Sequence, residues 1–312
     1  MNNNPLMQFA RRPELTVRLA TNPSWYNVGF INYTLNGEVE VYPMLPKDEL
    51  SLYNPDALLN GQAVIGLIQS CCPSIMNAEK LYYPDANILL LGIKRATYGN
   101  EHKQTHQCPK CYEKLQELKD NPKKKKELDT LIKEHKLNDH EEEFNFNIDL
   151  LLQNITHLED EYKITIDNLI YYLQPYTLKT KEQYSIISMQ RNKLLKMYKE
   201  TLERDEDVSN EEKERIMKEI AEIQSKMIDA NNEIYSECIK FIELPDGSQV
   251  NDKNMIKEFI ANAKSSTMSK LSEEVTKINA FGLPSTLEVE CSCCGHKWEV
   301  PFVGFNQSDF FV

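Results

Sequence analysis

A chain of 312 residues with 27% charged and 41% hydrophobic residues can bury a substantial core, so global disorder is excluded and no disulfide framework is needed. A formal charge of -12 repels phosphate backbones and argues against generic DNA or RNA binding. The opening MNNNPLMQFARRPEL lacks the apolar core of a secretory signal, and no stretch approaches the roughly 20 apolar residues that span a bilayer, so a soluble protein of a reducing compartment is expected.

Near the N-terminus, Leu15, Val17 and Leu19 alternate with polar residues, and Val39, Val41 and Pro43 repeat the pattern beyond Asn36-Gly37. This predicts two strands flanking a turn. A helix is expected to start at Asn54-Pro55-Asp56 and to run through Ala57, Leu58, Val64, Ile65 and Leu67. A second should start near Pro84-Asp85 and stop at Gly99, because proline just inside and glycine just past a helix are boundary signals. The run Lys123–Lys126 suits an exposed, solvated segment. His140-Glu141-Glu142-Glu143 is read as a solvated acidic patch. Beyond it, Phe144, Phe146 and Ile148 alternate, as do Tyr162, Ile164 and Ile166, which predicts two more strands.

From about Lys181 to Glu237 the period changes. Ile216, Ile220, Ile223, Met227, Ala230, Ile234 and Cys238 recur at spacings of four and three, the seam of a coiled-coil-like helix. An upstream stripe through Ile187, Leu194, Tyr198 and Leu202 is set off from it by Arg204-Asp205-Glu206-Asp207, and Ser209 with Glu212 reads as a capping box. An antiparallel helical hairpin is the economical reading. A strand over Ile239–Leu244, a turn at Pro245-Asp246-Gly247 and a helical period through Ile256, Phe259, Ile260 and Ala263 follow, the period resuming through Met268, Leu271, Val275 and Ile278.

Two cysteine pairs carry the chemistry: Cys108-Pro-Lys-Cys111 and Cys291-Ser-Cys293-Cys294-Gly295-His296. Each C-x-x-C turn presents two thiolates to one metal, and two such turns complete a tetrahedron, so Cys108, Cys111, Cys291 and Cys294 are the expected ligands of a structural Zn2+ ion. Leu287 and Val289 before the second pair, with Trp298 and Val300 after it, suggest the β-hairpin of a zinc ribbon, and Gly295 suits its tight return. About 180 residues separate the pairs where a compact ribbon uses roughly 15 to 20, so the hairpin and its neighbours become an insertion within the ribbon. Four thiolates leave no open position for water, which argues against catalysis at the ion. Cys293 or His296 in place of Cys294, or His102 and His106, are competing ligands, the histidines otherwise being surface residues. A redox reading of Cys108-Pro-Lys-Cys111 is weakened by the matching second pair and by the lack of an evident helix around it. Cys71, Cys72 and Cys238 are read as small hydrophobes. There is no Walker phosphate loop, G-x-S-x-G elbow, H-E-x-x-H helix or dinucleotide glycine pattern, so the chain is expected not to be an enzyme.

Val39–Met44, the helix from Leu58 to Cys71, Asn87–Gly99 and Cys108-Pro-Lys-Cys111, with Leu287–Cys294, Trp298–Pro301 and the closing Asn306–Phe311, are together similar to the T-even-type myovirus baseplate hub assembly proteins. The helical hairpin, Cys293 and the lysine run depart from that pattern. The resemblance implies a protein that builds the centre of a contractile tail's baseplate, within it or as an assembly chaperone for hub or tape-measure proteins. It implies action in the host cytoplasm during assembly and no substrate turnover. Phe302, Phe305, Phe310 and Phe311 would then either dock on a partner or pack on the protein's own core. A zinc-ribbon nucleic-acid-binding or transcription factor is the alternative.

The expected architecture is α+β: a globular body with a split zinc ribbon and an inserted antiparallel helical hairpin. Its expected divisions are residues 1–178, the inserted hairpin 179–238, and 239–312.

Overall fold

Strand β1 (Leu15–Val17) pairs antiparallel with β2 (Val39–Val41), Leu15 opposite Val41, as the alternation predicts. In the computed structural model, which describes residues 10–53, 61–119, 141–203 and 210–302, the turn at Asn36-Gly37 is closed by a Gly37 N–H to Thr34 C=O bond of 3.0 Å. Gly37 takes a φ of 75°, open to glycine without strain. That turn precedes β2 without joining it to β1. The intervening chain loops out through a 3-10 turn at Pro23–Trp25.

Three helices cover this ribbon. The first, α1 (Pro46–Leu52), has no counterpart in the sequence pattern. Helix α2 is described as Gln62–Cys71, and the start expected at Asn54 to Leu58 lies outside the described residues. Helix α3 (Tyr83–Tyr98) has Pro84 inside its first turn and Gly99 at its end, with Ile88, Leu89, Leu91 and Ile93 fully buried. Gly92 faces the ribbon: a Cβ there would lie 3.1 Å from Val17 Cγ1, tighter than ordinary contact, so a larger residue would need that valine to give by a few tenths of an ångström. These elements form the first core, with Cys71 and Cys72 fully buried in it. Burial pushes the Cys71 thiol up to about 11, as fits a small hydrophobe.

After Gly99 the chain forms β3 (Glu101–Gln107), helix α4 (Pro109–Lys119) and β4 (Glu141–Asn147). Strands β3 and β4 pair antiparallel, His102 opposite Phe146 and Gln104 opposite Phe144. Ile148 does not extend β4: the Asn147 side chain accepts the Leu150 N–H and starts helix α5 (Ile148–Gln153). The lysine run Lys123–Lys126 lies outside the described residues.

A second core forms on a sheet of order β5-β6-β7-β8, comprising β5 (Tyr162–Ile166), β6 (Leu169–Leu173), β7 (Ile239–Glu243) and β8 (Gln249–Val250), all antiparallel. Asp167 and Asn168 join β5 to β6 with φ of 50° and 65°, the conformation that a two-residue hairpin demands and that Asp and Asn tolerate. Helices α8 (Lys253–Ala261) and α9 (Ser265–Asn279) bury Ile256, Ile260, Leu271, Val275 and Ile278 with Tyr171, Leu173, Ile239 and Ile242. The two cores meet where Thr156 and Gly282 form a bridge and where Tyr82 pairs with Thr177.

Between β6 and β7, which are neighbours in the sheet, the chain makes helix α6 (Leu178–Glu203) and helix α7 (Asn210–Cys238). Thr180, Tyr184 and Ile187 near the start of α6 share a groove with Ala230 and Glu233 near the end of α7, so the two run antiparallel. Gln174 N–H donates to the Cys238 carbonyl at 2.7 Å, closing the base of the pair. Ile187, Leu194 and Tyr198 are half-buried, as are Ile220, Ile223, Met227, Ala230 and Ile234. Arg204–Asp207, Ser209 and the side chains of Leu202 and Glu212 lie outside the described residues. The whole is α+β, and among the described residues no helix is long and apolar enough to cross a membrane.

Candidate metal centre

Strand β3 delivers Cys108 directly, Pro109 starts α4, and Cys111 sits on its first turn, closed by the Tyr112 N–H to Cys108 C=O bond of 2.9 Å. The free N–H groups and the dipole of a helix N-terminus favour negative sulfur. A helical setting for this pair was not evident from its residues, so one ground for discounting the redox reading falls. The other ground stands, because the second pair lies opposite.

That second pair is held by β9 (Thr286–Glu290) and β10 (Lys297–Pro301), with Val289 opposite Trp298 and Leu287 opposite Val300. Between them the Cys291 N–H donates to the His296 carbonyl and the Gly295 N–H to the Cys291 carbonyl, both at 2.9 Å. Gly295 takes φ 65°, the left-handed setting that a tight return requires.

Three contacts carry the two hairpins together. Phe144 of β4 meets Trp298 edge-on at 5.6 Å, and both carboxylate oxygens of Glu142 lie 3.2 Å from the Ser292 N–H. Leu91, Ile148, Leu151 and Phe302 form a small core with Leu287 at its edge. Phe302 therefore packs inward, while Phe305, Phe310 and Phe311 lie outside the described residues. Sequence reasoning missed Glu142, placing it in a solvated patch. The alternation of Glu142, Phe144 and Phe146 on one face of β4 was the signal available.

The four expected cysteines converge: Cys108 Sγ lies 3.7 Å from Cys294 Sγ, Cys111 Sγ lies 3.7 Å from Cys291 Sγ, and all four sulfurs fall within 4.8 Å of one another. Sulfurs about 2.3 Å from one ion at tetrahedral vertices stand about 3.8 Å apart, so the spacing suits a metal ion. It is far beyond the roughly 2.05 Å of a disulfide, and all eight cysteines are free. Burial pushes the Cys108 and Cys111 thiols up. At Cys294 burial also raises the thiol, but the His296 backbone and the neighbouring thiols outweigh it and the net shift is downward. Four thiolates this close repel one another, and a cation among them removes that repulsion.

The competing histidines do not join the four sulfurs. His296 stacks on Trp298 at 5.9 Å, and His106 lies beside Phe144. His102 is fully buried, its Nδ1 2.8 Å from Lys94 Nζ and its ring edge-on to Phe302, which corrects the expectation of a surface residue. Its neighbours in β3 are polar, and only the pairing with β4 turns it inward. Cys293 is half-buried against the sulfur group without belonging to the set of four. Around the knuckle, Lys297 stands near Glu290 (3.5 Å) and Glu288 (3.9 Å), and Lys103 near Glu143 (2.9 Å), so these two lysines already face carboxylates, whereas Lys110 within the knuckle is exposed.

Residues 30–312, which include both cysteine pairs, match the sequence family described as T4 bacteriophage base plate protein. No curated protein and no solved structure shows a match to the chain.

Proposed function

Because the chain belongs to the T4 bacteriophage base plate protein family, we propose that it serves the central hub of a contractile-tail baseplate, as a hub component or an assembly chaperone for hub and tape-measure proteins. It acts by protein–protein binding, in the host cytoplasm while the tail is built, and turns over no substrate. The family match across residues 30–312 is the observation that carries this reading. Residues 1–178 and 239–312 make up one body in it, and residues 179–238 an inserted arm.

Within that body Cys108, Cys111, Cys291 and Cys294 hold a structural zinc ion. The support is the mutual spacing of their sulfurs together with a donor set of four thiols, which suits zinc and leaves no position for a reacting water. When bound, the ion supplies a tetrahedral cross-link and charge neutralisation. The β3–α4 corner and the β9–β10 turn supply the thiolates, and Phe144, Trp298 and Glu142 keep the two halves in register.

The test is co-expression of the chain with the hub and tape-measure proteins of its phage, followed by affinity purification and metal analysis. Stoichiometric recovery of a hub or tape-measure protein, with about one zinc per chain, is the expected result. Recovery of the chain without any of these proteins would overturn the assembly role. Absence of zinc from chain purified without chelators would overturn the metal assignment separately.

A further inference from the structure

The arm formed by α6 and α7 has two opposite electrostatic halves. Leu178–Glu203 holds six Lys and Arg against three Glu, a net of +3, whereas Asn210–Cys238 holds four Lys and Arg against eight Asp and Glu, a net of -4. Two of its ion pairs, Lys196–Glu200 and Arg215–Glu219, run along a single helix without crossing between the two. The arm is anchored to the body at its base, through Lys179–Glu79, Lys181 over the Tyr83 ring and Glu233–Lys257.

Farther out, apolar side chains face outward. Met217 is 50% and Ile228 59% exposed on α7, and Met189 is 55% exposed on α6. Met217, Ala221, Gln224 and Ile228 recur at four, three and four, a stripe beside the seam that faces α6. The seam residues Ile220, Ile223 and Met227 stay half-buried, since two helices cover only one side of each other.

We propose that this arm docks on the arm of a second copy of the chain, forming an intermolecular four-helix bundle whose two-fold axis runs along the arms. Charge selects both the occupant and the axis. A two-fold along the arm sets α6 of one copy on α7 of the other, so that the outer part of α6, net +2 over Ser188–Glu203, meets the outer part of α7, net -1 over Asn210–Ile228, opposite in sign at both contacts. A two-fold across the arm would set α6 on α6 and α7 on α7, like against like. The size is adequate: the outer part of α6 from Ser188 is about 16 residues, or roughly 24 Å, and two helices side by side are about 20 Å wide, giving about 1,000 Å² over both copies, the lower bound of a specific interface.

The experiment is sedimentation velocity of the full chain at micromolar to tens of micromolar concentration, in low and high salt. A dimer that weakens as salt rises is expected. The exposed double substitution Met217→Glu with Ile228→Glu should raise the dissociation constant by about tenfold or more while leaving circular dichroism and melting temperature unchanged. Two further variants, Lys193, Lys196 and Lys199 all to Glu and Glu214, Glu219 and Glu222 all to Lys, should each fail to dimerise alone and pair when mixed. A chain that is monomeric throughout, a dimer untouched by the Glu substitutions, or mixed variants that stay apart would overturn the proposal.

Discussion

The sulfur of Cys111 stands 3.7 Å from that of Cys291 across 180 residues of sequence. Loop-closure entropy grows only with the logarithm of length, so an ion here would fasten α4 to the β9–β10 hairpin at about 2 kcal/mol more than in a tenfold shorter ribbon. The β3–β4 and β9–β10 hairpins otherwise meet through a few side chains. The ion would be their main fastening.

Replacing Cys111 or Cys291 by serine should therefore lower zinc content and thermal stability together, by about 3 kcal/mol or more and hence about 5 °C or more. Chelation of the wild type should reproduce the shift. Elemental analysis and calorimetry on the same samples decide it, and zinc loss with an unmoved melt would rule out a structural ion.

Asp85, in the first turn of α3, is fully buried and accepts from the Thr21 N–H at 3.0 Å and the Tyr26 hydroxyl at 2.7 Å. Burial raises its carboxyl above the ordinary value, although these bonds oppose the shift. A carboxyl raised on folding favours the native state most where it is protonated in both states, and that contribution is lost as pH rises from the unfolded value through the folded one. Asp85→Asn removes this dependence, so its stability relative to wild type should improve as pH rises above about 4, the ordinary carboxyl value. Melting curves across that range test it, and a gap that widens against Asn with rising pH would count against it.

Tyr171 is fully buried and its hydroxyl has no hydrogen-bond partner among the described residues. Burial pushes that hydroxyl up to about 12. Tyr171→Phe keeps the ring and discards the polar atom, so the change should be neutral or stabilise by about 1 kcal/mol. Urea denaturation measures it. A loss above about 1 kcal/mol would mean that the hydroxyl is engaged.

Lys253 Nζ donates to the carbonyls of Ser236 (2.9 Å), Glu237 (3.4 Å) and Ile239, where α7 gives way to β7. Lys253→Met leaves those carbonyls without this donor and should cost about 1–2 kcal/mol. Amide exchange should quicken at the α7–β7 junction in the variant, and unchanged exchange there would argue that water replaces the lysine without loss.

Elements whose own residues carry a period were legible directly. Helix α3 was bounded by Pro84 and Gly99 to within a residue, and the two stripes marked α6 and α7. Strand β3 was not legible: Glu-His-Lys-Gln-Thr-His-Gln has no apolar alternation, and its partner β4 is more than thirty residues away. Strand β6 was overlooked because Leu-Ile-Tyr-Tyr-Leu is apolar throughout, although Asp167-Asn168 before it is a hairpin signal.

The spacing of two C-x-x-C pairs was enough by itself to name four cysteines, since two thiolates per turn is a local property of the chain. Their convergence depended on tertiary structure: Phe144 on Trp298, Glu142 on the Ser292 amide, and α3 beneath both hairpins. The same holds for His102, polar in sequence and buried in fact, and for the base of the arm, closed by Gln174 and Cys238. Local periods are written in neighbouring residues, whereas burial and long-range pairing depend on which surfaces of the folded chain meet.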